Sequence, residues 1–453
     1  MRTFVKIAGL AVIAAGSAAA MAADKLDGRW DAQLVRGDNV IPFRLDISGS
    51  GPTLKGTLYD GFRPYEDTTS ASFKDGQLTL NIEHYLTTIS AKVDGDKLVG
   101  TVVAQNRENR ADYNFLATRH VDAPAAAVNA PSIAGSWEIP LEAPSSKGEK
   151  AFRLIVDQKG AEVAASILRV DGDTGAYSGT FKDGKWVLSH FDGSRPGVIV
   201  VTPGKEGTLE IQQRVDRPQQ TAESKSGGEK AYGESAPDGR YASRLVAYRT
   251  EVARAKGFPE PANYLTHTTA RDPKEKFAFN FKDVNGKPVS SDDPQFKGKV
   301  IVAIVTGTWC PNCHDEAQYL VQLDKKYRDK GLAIVALDFE EAEQQDSLTR
   351  VHAFVNQYGV KYPYLIAGAP AEMWEKVPQL VNLNTWPATV FVGRDGTVRA
   401  VHAGFASPAS GEFHAQLKKE FTGRIEQLLS EKAPAQLTSA SGADASALVA
   451  DAH

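Results

Sequence analysis

Cys310 and Cys313, three positions apart, are the only two cysteines in a chain of 453 residues. No disulfide framework can staple such a chain, so it must fold by burying apolar side chains, and the lone C-x-x-C needs its own explanation. At about 100 to 200 residues per domain, the length calls for several cores. Hydrophobic residues at 42% and charged ones at 24% lie in the ordinary globular range. Lys plus Arg is 52 against Asp plus Glu at 56, a formal charge of -4. No positive excess is left to neutralise phosphates, so nucleic acid is not an expected partner.

The first segment reads as an address. Arg2 and Lys6 precede an apolar run from Ile7 to Ala15, followed by the small-residue pattern Ala20-Met21-Ala22. This predicts a signal peptide over residues 1–22 and a periplasmic or otherwise exported protein that is soluble after cleavage before Ala23. No other stretch approaches the ~20 apolar residues that a spanning helix needs.

From 26 to 120 the chain shows short alternating runs separated by turn residues, such as Phe43-Arg44-Leu45-Asp46-Ile47. Their spacing predicts about eight antiparallel strands closing as a barrel or stacking as a sandwich. A second copy follows over 132–246. Gly28-Arg29-Trp30 recurs as Gly135-Ser136-Trp137, Phe73-Lys74-Asp75-Gly76 as Phe181-Lys182-Asp183-Gly184, and Phe115 to Arg119 is matched to Tyr241 to Arg244. The polar stretch 216–239 reads as a disordered insertion in this copy. Neither copy shows a cluster of acids, bases or metal ligands along its sequence, so both are expected to be scaffolds or docking units. Trp30 and Trp137 are expected in their cores.

After Asn263 the pattern alternates strand and helix over 265–432. Phe277 to Phe281 predicts a strand. Lys299 to Val305 is a continuous apolar run of the kind found at the centre of a sheet covered on both faces. Cys310 follows, and Pro311 to about Lys330 predicts a helix. Strands are expected at Leu332 to Leu337, Tyr362 to Ile366, Ala388 to Val392 and Val398 to His402, with helices over 348–358 and 411–429. Residues 433–453 form a small-residue tail expected to be disordered.

This order, together with Gly307-Thr308-Trp309-Cys310-Pro311-Asn312-Cys313, Trp386-Pro387-Ala388-Thr389 and Gly396-Thr397-Val398, resembles the exported thioredoxin-like proteins of the TlpA-like thiol-disulfide interchange family. The resemblance covers about the last third of the chain. The expected fold class is thus two tandem antiparallel all-β modules followed by an α/β thioredoxin-like domain.

A cysteine at a helix N-terminus is stabilised as thiolate by unpaired N–H groups and the helix dipole, and Cys310 is expected there. It would attack a client disulfide, and Cys313, one turn on, would resolve the mixed disulfide. Pro311 suits the first helical turn. The resemblance implies that Pro387 is cis and faces the cysteines, and that Trp309, Pro311, Trp386 and Pro387 line the substrate groove. It further implies disulfide-containing client proteins and a membrane thiol electron donor. The buried acid that many thioredoxins carry six residues before the first cysteine is replaced by Ile304, and Glu340 is the expected proton acceptor.

The same residues admit other readings. Cys310 to His314 spells C-x-x-C-H, the attachment signature of c-type haem, with Met373 as the one available axial Met after signal removal. A peroxiredoxin-like peroxide reductase would want Thr three residues before the first cysteine, where Gly307 stands. A third reading has the thioredoxin-like part merely orienting partner-binding modules. Zinc would need about four ligands, and no second Cys or His pair supplies them. No cofactor or metal is expected, and nothing in the sequence sets an oligomeric state.

Overall fold

The computed structural model describes residues 26–106, 109–121, 129–215, 234–235, 241–341, 344 and 347–432. The expected signal segment, the terminal tail and nearly all of the expected insertion lie outside these residues. Within the insertion, Glu234–Ser235 pairs with the strand Tyr241–Arg249.

Both N-terminal modules are rings of eight strands. In the first, nine strand segments run in neighbour order from Arg63–Asp67 through Gly28–Arg36 to Ser70–Lys74. The two end segments are halves of one bent strand. Thr68 N–H donates to Gly56 O (2.9 Å) on one side of the bend and Thr69 N–H to Asn81 O (2.8 Å) on the other, which closes the barrel. The second ring closes directly, with Gly135–Pro140 paired to both Ala151–Lys159 and Tyr241–Arg249. Closure removes the exposed edges that would otherwise template aggregation.

The duplication extends to side chains. Trp30 Nε1 donates to Leu26 O and Trp137 Nε1 to Ile133 O, each at 2.9 Å and each four residues back. An arginine from the last strand covers each indole: Arg119 lies 4.1 Å from the Trp30 ring centroid and Arg249 3.8 Å from that of Trp137. Arg249 is therefore the counterpart of Arg119. The sequence match to Arg244 was out of register, because the insertion obscures where the last strand begins. Asp75-Gly76 and Asp183-Gly184 take the same left-handed turn, with φ of 52° at both Asp residues. Positive φ at two successive residues is what a two-residue hairpin loop requires.

The C-terminal domain holds a seven-stranded sheet. Val300–Thr306 lies centrally, parallel to Leu332–Phe339 and antiparallel to Ala388–Val392. All seven of its residues are buried, because both faces of the sheet are covered. Val302 and Ile304 face the core beneath the helices Pro311–Tyr327 and Glu412–Ser430, while Ile301, Ala303 and Val305 face a second core. The first strand is Asn280–Asp283, three residues later than the Phe277-led expectation. Phe277 and Phe279 are buried in the second core instead, and apolar content alone does not distinguish the two placements. No described helix is long and apolar enough to cross a membrane.

In the first barrel a Cβ on Gly100 would run into the Ser90 carbonyl of the neighbouring strand. Gly100→Ala is expected to destabilise that barrel by about 1–3 kcal/mol through overpacking, read as a lower urea midpoint.

Candidate functional site

The central strand ends at Thr306, and the chain turns through Gly307-Thr308-Trp309 into the helix Pro311–Tyr327, with Cys310 as its N-cap in extended conformation. Proline at the first helical position costs no hydrogen bond. Cys313 N–H donates to Cys310 O at 3.0 Å. Both thiols are free and buried, Cys310 at 6% exposure and Cys313 at 1%. The Trp386–Pro387 peptide bond is cis, and Cys310 Sγ lies 3.5 Å from Trp386 O. Trp309 and Trp386 meet edge to face, their centroids 5.2 Å apart, so the structure gathers Trp309, Cys310, Pro311, Cys313, Trp386 and Pro387 at one place.

The two sulfurs are electrostatically unequal. Burial disfavours the Cys310 anion, but hydrogen bonds from the Cys313 thiol and backbone N–H and the Arg195 guanidinium outweigh it, holding this thiol below its ordinary value against the opposing charge of Asp171. Cys313 is pushed well above its ordinary value by burial and by the neighbouring Cys310. Of the two, the Cys310 thiol is thus the more readily ionised.

Two buried carboxylates flank the pair. Glu340, the residue expected from sequence, accepts from Thr308 Oγ1 and takes Arg350 Nη2 at 2.6 Å. Arg350 also holds Glu341 at 2.6 Å. Trp309 Nε1 donates to Phe339 O at 3.0 Å, so the strand end at 339–341 pins the loop that presents Cys310. Glu316, three residues after Cys313, was passed over in the sequence. Burial pushes its carboxyl up to about 8, against a hydrogen bond from Thr389 Oγ1 and with the Cys310 charge adding to the rise. An acid one helical turn beyond a C-x-x-C was the available sequence signal.

His314 completes the C-x-x-C-H pattern, but both ring nitrogens are engaged, Nε2 with Thr308 O at 2.6 Å and Nδ1 with Tyr358 Oη at 2.8 Å. Burial and the neighbouring His84 hold it well below its ordinary value, so it is neutral. Met373 lies in the core on the other face of the sheet. A side chain on Gly307 would collide with the Trp309 indole, so the threonine of a peroxide reductase has no room there.

Both barrels pack against this site. From the first, Tyr65 Oη donates to Asp315 Oδ1 (2.9 Å), Glu66 accepts from Gln357 (3.3 Å) and lies 3.4 Å from Tyr358 Oη, and the rings of His84 and Tyr85 pack at a tilt on His314. From the second, Asp171 O accepts from Asn312 Nδ2 at 2.9 Å. Asp60, Glu66, His84, Asp173, His190 and Asp192 are all buried. They are scattered over more than a hundred positions, so only the packing of the three domains reveals them. Arg350→Met, which leaves Glu340 and Glu341 buried without their guanidinium, is expected to cost about 3–5 kcal/mol of stability, measurable by denaturant unfolding.

Residues 268–417 match the family model described as Redoxin. Over 125 residues the chain is 34% identical to a thiol-disulfide oxidoreductase ResA of Bacillus anthracis, covering 28% of this chain and 65% of that protein. The ResA of Bacillus thuringiensis subsp. konkukian is 32% identical over 145 residues, covering 32% of this chain and 77% of its own length. Among solved structures, a putative thiol:disulfide interchange protein DsbE from Chlorobium tepidum matches with 20% identity and a TM-score of 0.28, over 35% of this chain and 98% of that one. The chain spans just under two thirds of the length of the first relatives. Through its C-terminal third, the chain belongs to the ResA/TlpA-like family of thioredoxin-fold thiol-disulfide oxidoreductases.

Proposed function

We propose that this protein is an exported disulfide reductase acting on client proteins through Cys310 and Cys313. The observation that carries the reading is the placement of Cys310 as N-cap of the helix Pro311–Tyr327, one turn from Cys313, with its sulfur 3.5 Å from Trp386 O ahead of the cis Pro387. The Cys310 thiolate attacks one sulfur of a client disulfide, forming a mixed disulfide and releasing the other client sulfur as thiolate, which takes up a proton. Cys313 then loses its proton and attacks Cys310 Sγ. The Cys310–Cys313 disulfide forms and the second client sulfur leaves, so the client gains the two electrons that the pair gives up. A thiol donor held at a membrane would restore the dithiol.

Of the two carboxylates, we take Glu316 as acceptor of the Cys313 proton. Glu340 is committed to Arg350 and Thr308 and positions the loop, whereas Glu316 shares the cysteines' helix and responds to the Cys310 charge. Only the ionised carboxylate can accept a proton. With its carboxyl held at about 8, the resolving step should accelerate as pH rises toward that value and level off above it.

Two variants test the reading. Cys310→Ser is expected to abolish reduction of insulin disulfides, while Cys313→Ala should accumulate mixed disulfides through Cys310, detected by non-reducing electrophoresis and mass spectrometry. Insulin reduction surviving in Cys310→Ser overturns the assignment. Glu316→Gln should slow release of the mixed disulfide by about 10²-fold or more and flatten its pH profile. An unchanged profile removes Glu316 from the proton path.

A further inference from the structure

Cys310 Sγ lies 3.5 Å from Trp386 O, and Gly404 N–H donates to Pro387 O at 2.8 Å, so the Trp386–Pro387 segment and Gly404–Phe405 form an edge beside the sulfur. That edge is already occupied by the tight turn of the second barrel between the strands Glu162–Arg169 and Gly172–Asp173. Asp171 O takes two donors, Asn312 Nδ2 at 2.9 Å and Phe405 N–H at 3.3 Å. Gly172 forms a parallel bridge with Phe405. A Cβ on Gly172 would strike the Phe405 carbonyl, and one on Gly404 would strike the Asp171 backbone, so the two main chains touch with no side chain between them. Main-chain pairing of this kind is how extended peptides add to an exposed edge.

One residue on, the Asp173 carboxylate is gripped from three directions. Ser407 N–H (2.7 Å) and Ser410 Oγ (2.6 Å) donate to Oδ2, and Ser407 Oγ (2.8 Å) donates to Oδ1. Asp173, Ser407 and Ser410 are each at most 2% exposed. These three donors from across the interface join Gly175 N–H of the hairpin's own turn, 2.9 Å from Oδ1, and hydrogen bonds to a charged group are the strong ones.

We propose that the edge from Phe405 to Ser410, beside Cys310, is a peptide-binding site with a carboxylate subsite at Ser407 and Ser410, and that Asp171-Gly172-Asp173 of the second barrel fills it in cis. The hairpin must yield before a bulky client reaches the sulfur. The segment that replaces it is an extended peptide with a small residue against Phe405 and an aspartate in the serine subsite. This deepens the thiol-exchange reading and rests on it for the word client, but the occupancy itself concerns access to a thiol.

The test is alkylation of reduced full-length protein in the Cys313→Ala background, comparing iodoacetamide with a polyethylene-glycol maleimide. Asp173→Asn keeps the shape and removes the charge. It is expected to raise the rate with the bulky reagent by about tenfold or more, the worth of a charge-assisted hydrogen bond, with the iodoacetamide rate changed far less. Ser410→Ala, which weakens the grip from the other side, should act in the same direction. A synthetic peptide spanning Ser166 to Ala176 should protect Cys310 in Asp173→Asn protein, and the same peptide with Asn in place of its second Asp should protect at least tenfold less well. Unchanged bulky-reagent rates in both variants, or equal protection by the two peptides, overturn the proposal. Insulin reduction persisting in that event would show that the exchange reading stands without it. Failure of Cys310 to react even with iodoacetamide would count against the exchange reading instead.

Discussion

The Cys310 thiol is held below its ordinary value where the chain turns from the central strand into a helix, and the proposed chemistry is arranged around this turn. The strand Val300–Thr306 is buried on both faces, which fixes where it ends. Pro311 starts the helix and Cys313 completes its first turn. The Cys313 thiol and backbone N–H and the Arg195 guanidinium then act on a desolvated sulfur, where electrostatic interactions are stronger than in water. The same burial that penalises the anion makes each stabilising contact count for more. It also raises the Cys313 thiol, and so sets the order of attack.

Around this turn the three domains form one continuous polar interface. The barrels do not hang from the catalytic domain as independent modules. The first rests on the helices Pro311–Tyr327 and Thr349–Tyr358 through Tyr65, Glu66, His84 and Tyr85. The second rests on Asn312 and on the segment from Phe405 to Ser410. The barrels in turn hold each other through Asp60, which accepts from Ala176 N–H at 2.5 Å, and Thr87 Oγ1, which donates to Gly193 O at 2.7 Å. Buried polar contacts of this density specify one relative arrangement more than they add stability, since each group had to leave water to form them.

Much of this was legible in the sequence wherever a pattern is local. The apolar run before Cys310, the C-x-x-C, the Trp-Pro pair and the repeated Trp and Asp-Gly positions each depend on neighbours within a few residues, and each lies where its period or turn chemistry puts it. Contacts across domains were not legible. Nothing near Asp173 suggests that its carboxylate sits on Ser407 and Ser410, more than two hundred positions away, and nothing near Arg195 suggests Cys310. Glu316 was missed for a different reason: a carboxylate on a helix reads as solvated, and only the sheet and Thr389 packed above it make it buried. The displaced match of Arg244 to Arg119 shows how an insertion ahead of a strand defeats a repeat comparison that the paired arginine–indole contacts resolve at once.

The most direct measurement is a pH titration of the 240 nm thiolate absorbance of the full-length dithiol protein, with Cys310→Ser as the reference and Arg195→Gln as the variant. The groups facing the sulfur are Cys313 and Glu316 from its own helix and Arg195 and Asp171 from the second barrel. The expected result is a step below the ~8.5 of a free thiol, absent in Cys310→Ser and moved upward in Arg195→Gln. A first thiolate forming only at or above the free-thiol value, indifferent to Arg195, would contradict the account.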